Sequence, residues 1–168
     1  DERVVRKMAA LNPRPIIMPL SNPTSKAECT FEQAVTWTDG RAVFASGSPF
    51  PAMTYRGKTL HPAQANNAYV FPALGHAAVL AGAREVSDDA FLAAAEALSA
   101  MTTEAELAAG KLFPDFDSIR EVSHDLTARV CELMERDGQG GKPAGVMDWK
   151  KYVDSQFWEP EPETPSKL

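Results

Sequence analysis

Hydrophobic and polar positions in the first half of the chain follow a strand–helix–strand order. The short apolar runs 16–20 and 42–45 lack the polar alternation of a half-exposed strand, which predicts parallel strands buried on both faces. Residues 30–38, which separate them, have helical spacing and a capping-box pattern formed by Thr30 and Gln33. This order indicates a βαβ unit with a right-handed crossover.

Helical patterns occupy most of the remaining chain. Spacing and capping residues predict helices over 1–11, 66–82 and 88–101, and further helices opened by Thr103 with Glu106 and by Ser118 with Glu121. The 66–82 segment is apolar on nearly every face, so we expect it to be buried, with Pro72 starting, kinking or splitting it. Within 88–101 the expected buried stripe is Phe91, Leu92, Ala95 and Leu98.

These elements predict an α/β fold, namely the second half of a doubly wound (Rossmann-like) parallel sheet followed by helices and a C-terminal extension. Residues 1–137 would form this part of a nucleotide-binding domain, although no G-x-G-x-x-G motif is present. Residues 138–147 have the Gly and Pro content of a linker, and 148–168 predict a helix followed by a flexible acidic tail. The end of the chain, 159–168, has almost nothing apolar to bury, so we expect it to be mobile.

Composition narrows the class of partner. The 168 residues include 17 Lys or Arg and 23 Asp or Glu, and the net charge of −6 argues against nucleic acid or an anionic membrane as the main partner. No apolar run approaches the roughly 20 residues of a membrane span. Two cysteines are too few for a disulfide framework. We therefore expect a soluble protein of a reducing compartment, such as the cytoplasm or an organelle stroma or matrix.

The candidate chemistry lies where the predicted strands end, because open α/β sheets bind ligands at the carboxyl ends of their strands. Asn22 follows the first strand, and its carboxamide offers donors and an acceptor without adding charge. Ser46 starts a second turn of small residues that would let a ligand approach closely. Asn66 and Asn67 open the predicted 66–82 helix, where a helix N-terminus favours an anion such as a dicarboxylic acid.

Each of these positions also has a purely structural interpretation. Asn22 would form an Asx-turn, and the turn at Ser46 would be a tight strand exit. One residue of the Asn66–Asn67 pair would be a helix N-cap while the other is solvated. No pair of histidines has metal-ligand spacing, so the residues alone assign no metal ligand and no catalytic group.

Two long segments carry distinctive motifs. The first covers 14–30 and includes Arg-Pro-Ile-Ile and Leu-Ser-Asn-Pro-Thr; the second covers 37–50 and includes Gly-Arg-Ala-Val-Phe-Ala-Ser-Gly-Ser-Pro-Phe. Both segments resemble the corresponding segments of malic enzymes. The order continues with Gln64, Asn66-Asn67 and Phe71-Pro72, and then with Val-Ser-Asp-Asp at 86–89. The resemblance runs in register over roughly 1–135 and, more loosely, over 148–153.

The resemblance implies the oxidation of (S)-malate with hydride transfer to NAD or NADP, followed by decarboxylation to pyruvate with the help of Mg or Mn. It places Asn22 at the substrate and the nicotinamide end of the cofactor, and Asn66 and Asn67 at the malate carboxylate, while Ser46 is a candidate cofactor contact. Residues 1–137 would then be the C-terminal half of an NAD(P)-binding domain.

Other functional residues of the family lie upstream of the segments that match this chain. They are the catalytic Tyr and Lys, the substrate-binding Arg, the acidic metal ligands and the glycine motif. We therefore expect this chain to be inactive alone, to need the remainder of a malic enzyme as its partner, and to assemble as a homo-oligomer.

The sequence departs from the family pattern at three alanines. Ala63, Ala65 and Ala73 stand where the family usually has glycine, and alanine would be strained there if those glycines used positive φ. These changes keep open an alternative from another class, a non-catalytic binding or assembly subunit descended from the domain. A third interpretation is another dinucleotide-dependent α/β dehydrogenase domain.

Overall fold

The computed structural model describes residues 1–108 and 110–159, so most of the predicted mobile tail, 160–168, lies outside the described residues. The helices are α1 (Glu2–Leu11), α2 (Phe31–Trp37), α3 (Phe71–Leu80), α4 (Asp88–Ala100), α5 (Glu104–Ala108), α6 (Ile119–Arg136) and α7 (Trp149–Gln156). The strands are β1 (Ile16–Ile17), β2 (Val43–Ser46), β3 (Met53–Tyr55), β4 (Lys58–Leu60) and β5 (Ala63–Gln64). Short 3-10 helices occur at Thr24–Lys26, Asn67–Tyr69 and Phe116–Ser118. Among the described residues, no helix is long and apolar enough to cross a membrane.

The central sheet is parallel and has the order β1-β2-β5. Ile16 pairs with Val43, and Ser46 pairs with Gln64, which places the carboxyl ends of the three strands at one edge. The predicted strand–helix–strand unit and the α/β class are therefore confirmed. β3 and β4 form a separate antiparallel hairpin.

The prediction that the first strand is buried on both faces is wrong. β1 has two residues, and Ile17 is 5% exposed whereas Ile16 is 59% exposed. The reason is position, because β1 lies at the edge of the described sheet and packs its Ile17 face against α1 and α2. β2 lies between two strands, and Phe44 and Ala45 are buried as predicted, whereas Val43 is half-buried. Ser46, which was expected to start the turn, is the last residue of β2 and is also buried.

The predicted helix over 66–82 is divided. A 3-10 helix covers Asn67–Tyr69, and α3 begins at Phe71 with Pro72 in its first turn, where the missing N–H costs no hydrogen bond. The prediction of burial on nearly every face is also wrong, because the side chains of Phe71 and Val79 are each 77% exposed. The buried face of α3 consists of Ala73, Leu74 and Ala77.

Two predicted details of the later helices are wrong. In α4 the buried residues are Ala90, Ala94 and Leu98, whereas Phe91 and Leu92 are exposed, so small residues form the packed stripe. Ser118 lies at the N-cap position of α6, but its side chain does not cap the helix; its hydroxyl donates to the carbonyl of Asp115, the residue before the preceding 3-10 helix. The predicted cap of Thr103 with Glu106 is present: the backbone N–H of Thr103 donates to the Glu106 carboxylate at 2.9 Å, and the backbone N–H of Glu106 donates to the Thr103 hydroxyl at 3.3 Å.

The helical core joins α3, α4, α6 and α7. Trp149 and Val153 of α7 are buried against it, and the indole of Trp149 donates to Glu135 of α6 at 2.9 Å. The backbone N–H of Gly141 donates to the carbonyl of Ala81 at 2.9 Å, so the 138–147 segment contacts this core. The division of the chain at 138–147 stays a prediction.

Candidate functional site

The three polar turns singled out in the sequence meet at one end of the parallel sheet. The backbone N–H of Ala65 donates to the carbonyl of Ser46 at 2.8 Å, and the N–H of Gly47 donates to the carbonyl of Pro19 at 3.1 Å. These bonds join the segments that follow β1, β2 and β5. We call this surface the carboxyl edge; it comprises residues 20–22, 46–48 and 64–67.

Asn22 is exposed at the carboxyl edge, and its Oδ1 accepts a hydrogen bond of 2.6 Å from the hydroxyl of Ser48. In the described part of the chain, no group accepts a hydrogen bond from its Nδ2. The Asn22–Pro23 peptide bond is cis. Asn22 therefore has one amide atom bound to the protein, and its two N–H donors remain available to a ligand.

The turn before Asn22 is held by a carboxylate. Glu28 accepts from the hydroxyl of Ser21 at 2.6 Å and from its backbone N–H at 3.3 Å. The hydroxyl hydrogen bond of Ser21 and nearby backbone N–H groups lower the pKa of Glu28, so it stays ionised at neutral pH. Glu28 and Ser48 thus anchor two successive residues of the same turn.

Ser46, the predicted cofactor contact, is only 1% exposed. Its hydroxyl donates to the carbonyl of Ser48 at 2.7 Å, which shapes the turn after β2. The proton of this hydroxyl is therefore engaged within the protein, and the role of Ser46 toward a cofactor stays a prediction.

Gly47 allows the turns after β1 and β2 to approach each other. A Cβ atom at Gly47 would lie 2.5 Å from the carbonyl oxygen of Leu20 and 3.1 Å from both amide atoms of Asn22. Ordinary contact begins at 3.4 Å, so a side chain at this position has no space. The Asn22 carboxamide consequently packs over a glycine, with its position set by the backbone beneath it.

Asn66 and Asn67 have different surroundings. Oδ1 of Asn66 accepts from the backbone N–H of Ala68 at 2.9 Å, which makes Asn66 the N-cap of the 3-10 helix. Asn67 is exposed. The expectation that the pair opens a long helix is wrong, because α3 begins four residues later at Phe71. The predicted contacts of Asn66 and Asn67 with a substrate carboxylate stay predictions.

The alanines that replace family glycines are not strained. In the described residues, the non-glycine positions with positive φ are Asp39 and Arg56, so Ala63, Ala65 and Ala73 have ordinary backbone conformations. Ala73 is also fully buried on the packed face of α3. None of the three alanines therefore requires the positive φ that would strain its backbone.

The donor groups of the carboxyl edge suit a nucleotide or an organic acid better than a metal ion. Amide and hydroxyl groups are present, whereas the described residues contain no group of three or more His, Cys, Asp or Glu able to hold a metal ion. The sequence did not predict that Ser48 and Glu28 help to form this site. Each makes a hydrogen bond to the turn after β1, Ser48 to Asn22 and Glu28 to Ser21, and these contacts depend on the tertiary structure. The Ser-Gly-Ser-Pro motif was a usable signal for Ser48.

A parallel sheet with amide groups at its carboxyl edge defines part of a nucleotide-binding α/β domain. Residues 1–135 match the protein family described as "Malic enzyme, NAD binding domain". The chain belongs to this family, which confirms the resemblance found in the sequence.

Full-length relatives carry the same region. "NADP-dependent malic enzyme 2" of Arabidopsis thaliana is 47% identical over 159 residues, which are 95% of this chain and 27% of that protein. "NAD-dependent malic enzyme, mitochondrial" of Ascaris suum is 42% identical over 163 residues, 97% of this chain and 25% of that protein. The chain spans about a quarter of the length of the curated relatives that it matches.

The fold also matches solved structures. The crystal structure of the Entamoeba histolytica malic enzyme superposes with a TM-score of 0.69 at 20% sequence identity, and the match covers 92% of this chain and 28% of that one. This likeness confirms the fold, which is a parallel sheet with surrounding helices.

Proposed function

We propose that this chain forms the C-terminal part of the NAD(P)-binding domain of a malic enzyme. The whole protein would oxidise and decarboxylate (S)-malate to pyruvate and carbon dioxide while it reduces NAD or NADP. The observation that carries the proposal is the meeting of the turns after β1, β2 and β5 at one edge of the sheet, where Oδ1 of Asn22 accepts from Ser48 and Asn67 is exposed.

Neutral amides suit this reaction because both substrates carry oxygen acceptors. Malate has two carboxylates, and the nicotinamide carboxamide has a carbonyl oxygen. Nδ2 of Asn22 would donate to one of these oxygens, and the exposed amide of Asn67 would donate to a malate carboxylate. A hydrogen bond to a charged group stabilises a complex by roughly 1.5–3 kcal/mol, so these contacts would bind and orient the substrate.

The rest of the reaction belongs to other groups. Bound NAD or NADP would supply the hydride acceptor, and the protein would supply its position and electrostatic surroundings. The described residues offer no metal ligand set, so we assign no step at Mg or Mn to this chain. In the proposal the remaining malic enzyme chain provides those ligands and the proton-transfer groups, and the enzyme assembles as a homo-oligomer.

The test uses the full-length protein that contains this chain. Purified protein is mixed with (S)-malate, NAD or NADP, and Mg or Mn, and the formation of reduced cofactor and pyruvate is measured. The proposal expects both products. No turnover with either cofactor would favour the alternative, a non-catalytic binding or assembly subunit.

The site assignment is tested with Asn22→Ala in the same protein. Loss of a hydrogen bond to a malate carboxylate should lower kcat/KM for malate by about 10- to 150-fold, and loss of one to the uncharged nicotinamide carbonyl should lower kcat/KM for the cofactor by about 2- to 10-fold. Asn12→Ala is the matched control, because Asn12 precedes β1 at the opposite end of the strand and its amide donates to Met8 within α1. Equal kinetics in the two variants would show that Asn22 does not contact a substrate.

A further inference from the structure

We propose that Ser48 is a positioning residue that sets the orientation of the Asn22 carboxamide, so that Nδ2 faces the ligand. This inference rests on the proposed function, because the ligand is taken to be malate or the nicotinamide end of the cofactor. Ser48 lies 26 residues from Asn22 in sequence, and its hydroxyl donates to Oδ1 at 2.6 Å.

The direction of this hydrogen bond follows from the surroundings of Ser48. Ser48 is 7% exposed, and in the described part of the chain its hydroxyl proton has no acceptor other than Oδ1 of Asn22. If the carboxamide turned over, the hydroxyl would accept from Nδ2 and its own proton would lose that partner. An unmade hydrogen bond at a nearly buried group is unfavourable, so the observed orientation is selected.

The hydroxyl is itself held in place. The Ser46 hydroxyl donates to the carbonyl of Ser48 at 2.7 Å, and Nε2 of Gln64 lies 3.4 Å from the carbonyl of Gly47, which it contacts as a donor. The carboxamide lies so close to Gly47 that a Cβ atom added there would be 3.1 Å from both of its amide atoms, so the contact between the two turns requires a residue without a side chain. The turn after β2 therefore forms a rigid support for an amide on the turn after β1.

The orientation of the Asn22 carboxamide determines which ligand atoms it can bind. With Oδ1 bound to Ser48, Asn22 presents N–H donors and selects an oxygen acceptor, either a malate carboxylate or the carbonyl oxygen of the nicotinamide carboxamide. Kinetics distinguish the two sources. A malate contact changes KM for malate, whereas a cofactor contact changes KM for NAD or NADP.

The experiment is a double-mutant cycle in the full-length protein with Asn22→Ala, Ser48→Ala and the double variant. Ser48→Ala should lower kcat/KM by about fivefold, the effect expected of one hydrogen bond between uncharged groups. In the Asn22→Ala background the same substitution should change kcat/KM by less than about twofold, because the amide that it orients is gone. Ser123→Ala is the matched control, since Ser123 is 6% exposed and lies on α6.

Two results would overturn the inference. If Ser48→Ala lowers kcat/KM equally with and without Asn22, or leaves wild-type kinetics unchanged, Ser48 does not act through Asn22. If Asn22→Ala itself leaves kinetics unchanged, the site assignment of the proposed function fails as well, so the two failures are distinguishable. Should Ser48→Ala not fold, Ser48→Cys enters the same cycle, because a thiol of similar size is a weak donor.

Discussion

Gly47→Ala should damage the carboxyl edge although it adds a single methyl group. The new Cβ would lie 2.5 Å from the carbonyl oxygen of Leu20, whereas ordinary contact begins at 3.4 Å. One backbone must therefore move by about 0.5–0.9 Å, which brings the contact to between 3.0 and 3.4 Å. The contact is with backbone rather than with the end of a flexible side chain, so a change of rotamer cannot relieve it.

Both stability and activity should respond to this movement. Overpacking of this kind costs about 1–3 kcal/mol, and the 3.1 Å hydrogen bond from Gly47 to Pro19 lies directly in the displaced region. The Asn22 amide, 3.1 Å from the added atom, moves with the turn. Because a misplacement of about 1 Å can cost roughly 100-fold in rate, we expect kcat/KM for malate to fall by about that factor.

Gly75→Ala is a matched control with the opposite expected sign. Gly75 lies inside α3, and in the part of the chain that the structure describes nothing lies within 4 Å of its added Cβ. Alanine is the better helix former by about 0.5–1 kcal/mol, so this variant should be slightly more stable and fully active. The assays are the thermal unfolding midpoint and malate kinetics of the full-length protein.

The reasoning would be refuted by a Gly47→Ala variant with a wild-type unfolding midpoint and wild-type malate kinetics. That result would mean that the turns after β1 and β2 do not pack as closely as the 2.5 Å approach requires. A variant that is destabilised but keeps its kcat/KM would leave the packing argument intact and would contradict the position of Asn22 in the substrate site.

Three further predictions follow from other contacts. Asn66→Ala removes an N-cap and should lower stability by up to about 1 kcal/mol, whereas Asn67→Ala should leave stability unchanged and lower kcat/KM for malate by about 10- to 150-fold. Hydrogen bonds from Lys142 and Trp149 lower the pKa of Glu135 below the ordinary 4.5, so the packing of α7 should weaken as the pH falls through that lowered pKa, as measured by Trp149 fluorescence. The 168-residue chain alone should produce no reduced cofactor from malate with Mg or Mn.

The sign of the pH effect follows from linkage. A carboxyl whose pKa is lower in the folded state binds its proton more readily in the unfolded state, so its stabilising effect is present above pH 4.5 and is lost at lower pH. Glu135→Gln in a protein that keeps Trp149 but replaces Trp37 and Trp158 with Phe is the control. An unchanged acid transition in that variant would show that Glu135 is not the titrating group.

The predictions for Asn67→Ala and for the isolated 168-residue chain can be contradicted by the same measurements. If Asn67→Ala loses stability but keeps wild-type kcat/KM, then Asn67 has a structural role and does not contact malate. Metal-dependent formation of reduced cofactor by the purified 168-residue chain would show that it contains catalytic groups that its sequence does not reveal.

Local patterns in the sequence were enough to predict most elements of this chain. The capping box of Thr30 and Gln33 and the reciprocal cap of Thr103 and Glu106 are formed as predicted. Caps and helical stripes depend on residues three or four apart, so they are encoded within one turn of chain. The parallel strands β1 and β2 were predictable from short apolar runs, and the order of strands and helices indicated the class of the fold. The long segments shared with malic enzymes identified the family.

The tertiary structure decided which polar groups act together and which faces are covered. The hydrogen bond from Ser48 to Asn22 joins residues 26 positions apart, and Asn66 is a cap because α3 begins only at Phe71. The exposure of Ile16 depends on the place of β1 at the edge of the described sheet. Such facts depend on strand order and register, which are set by packing between distant segments, and no pattern within a short stretch of sequence contains that information.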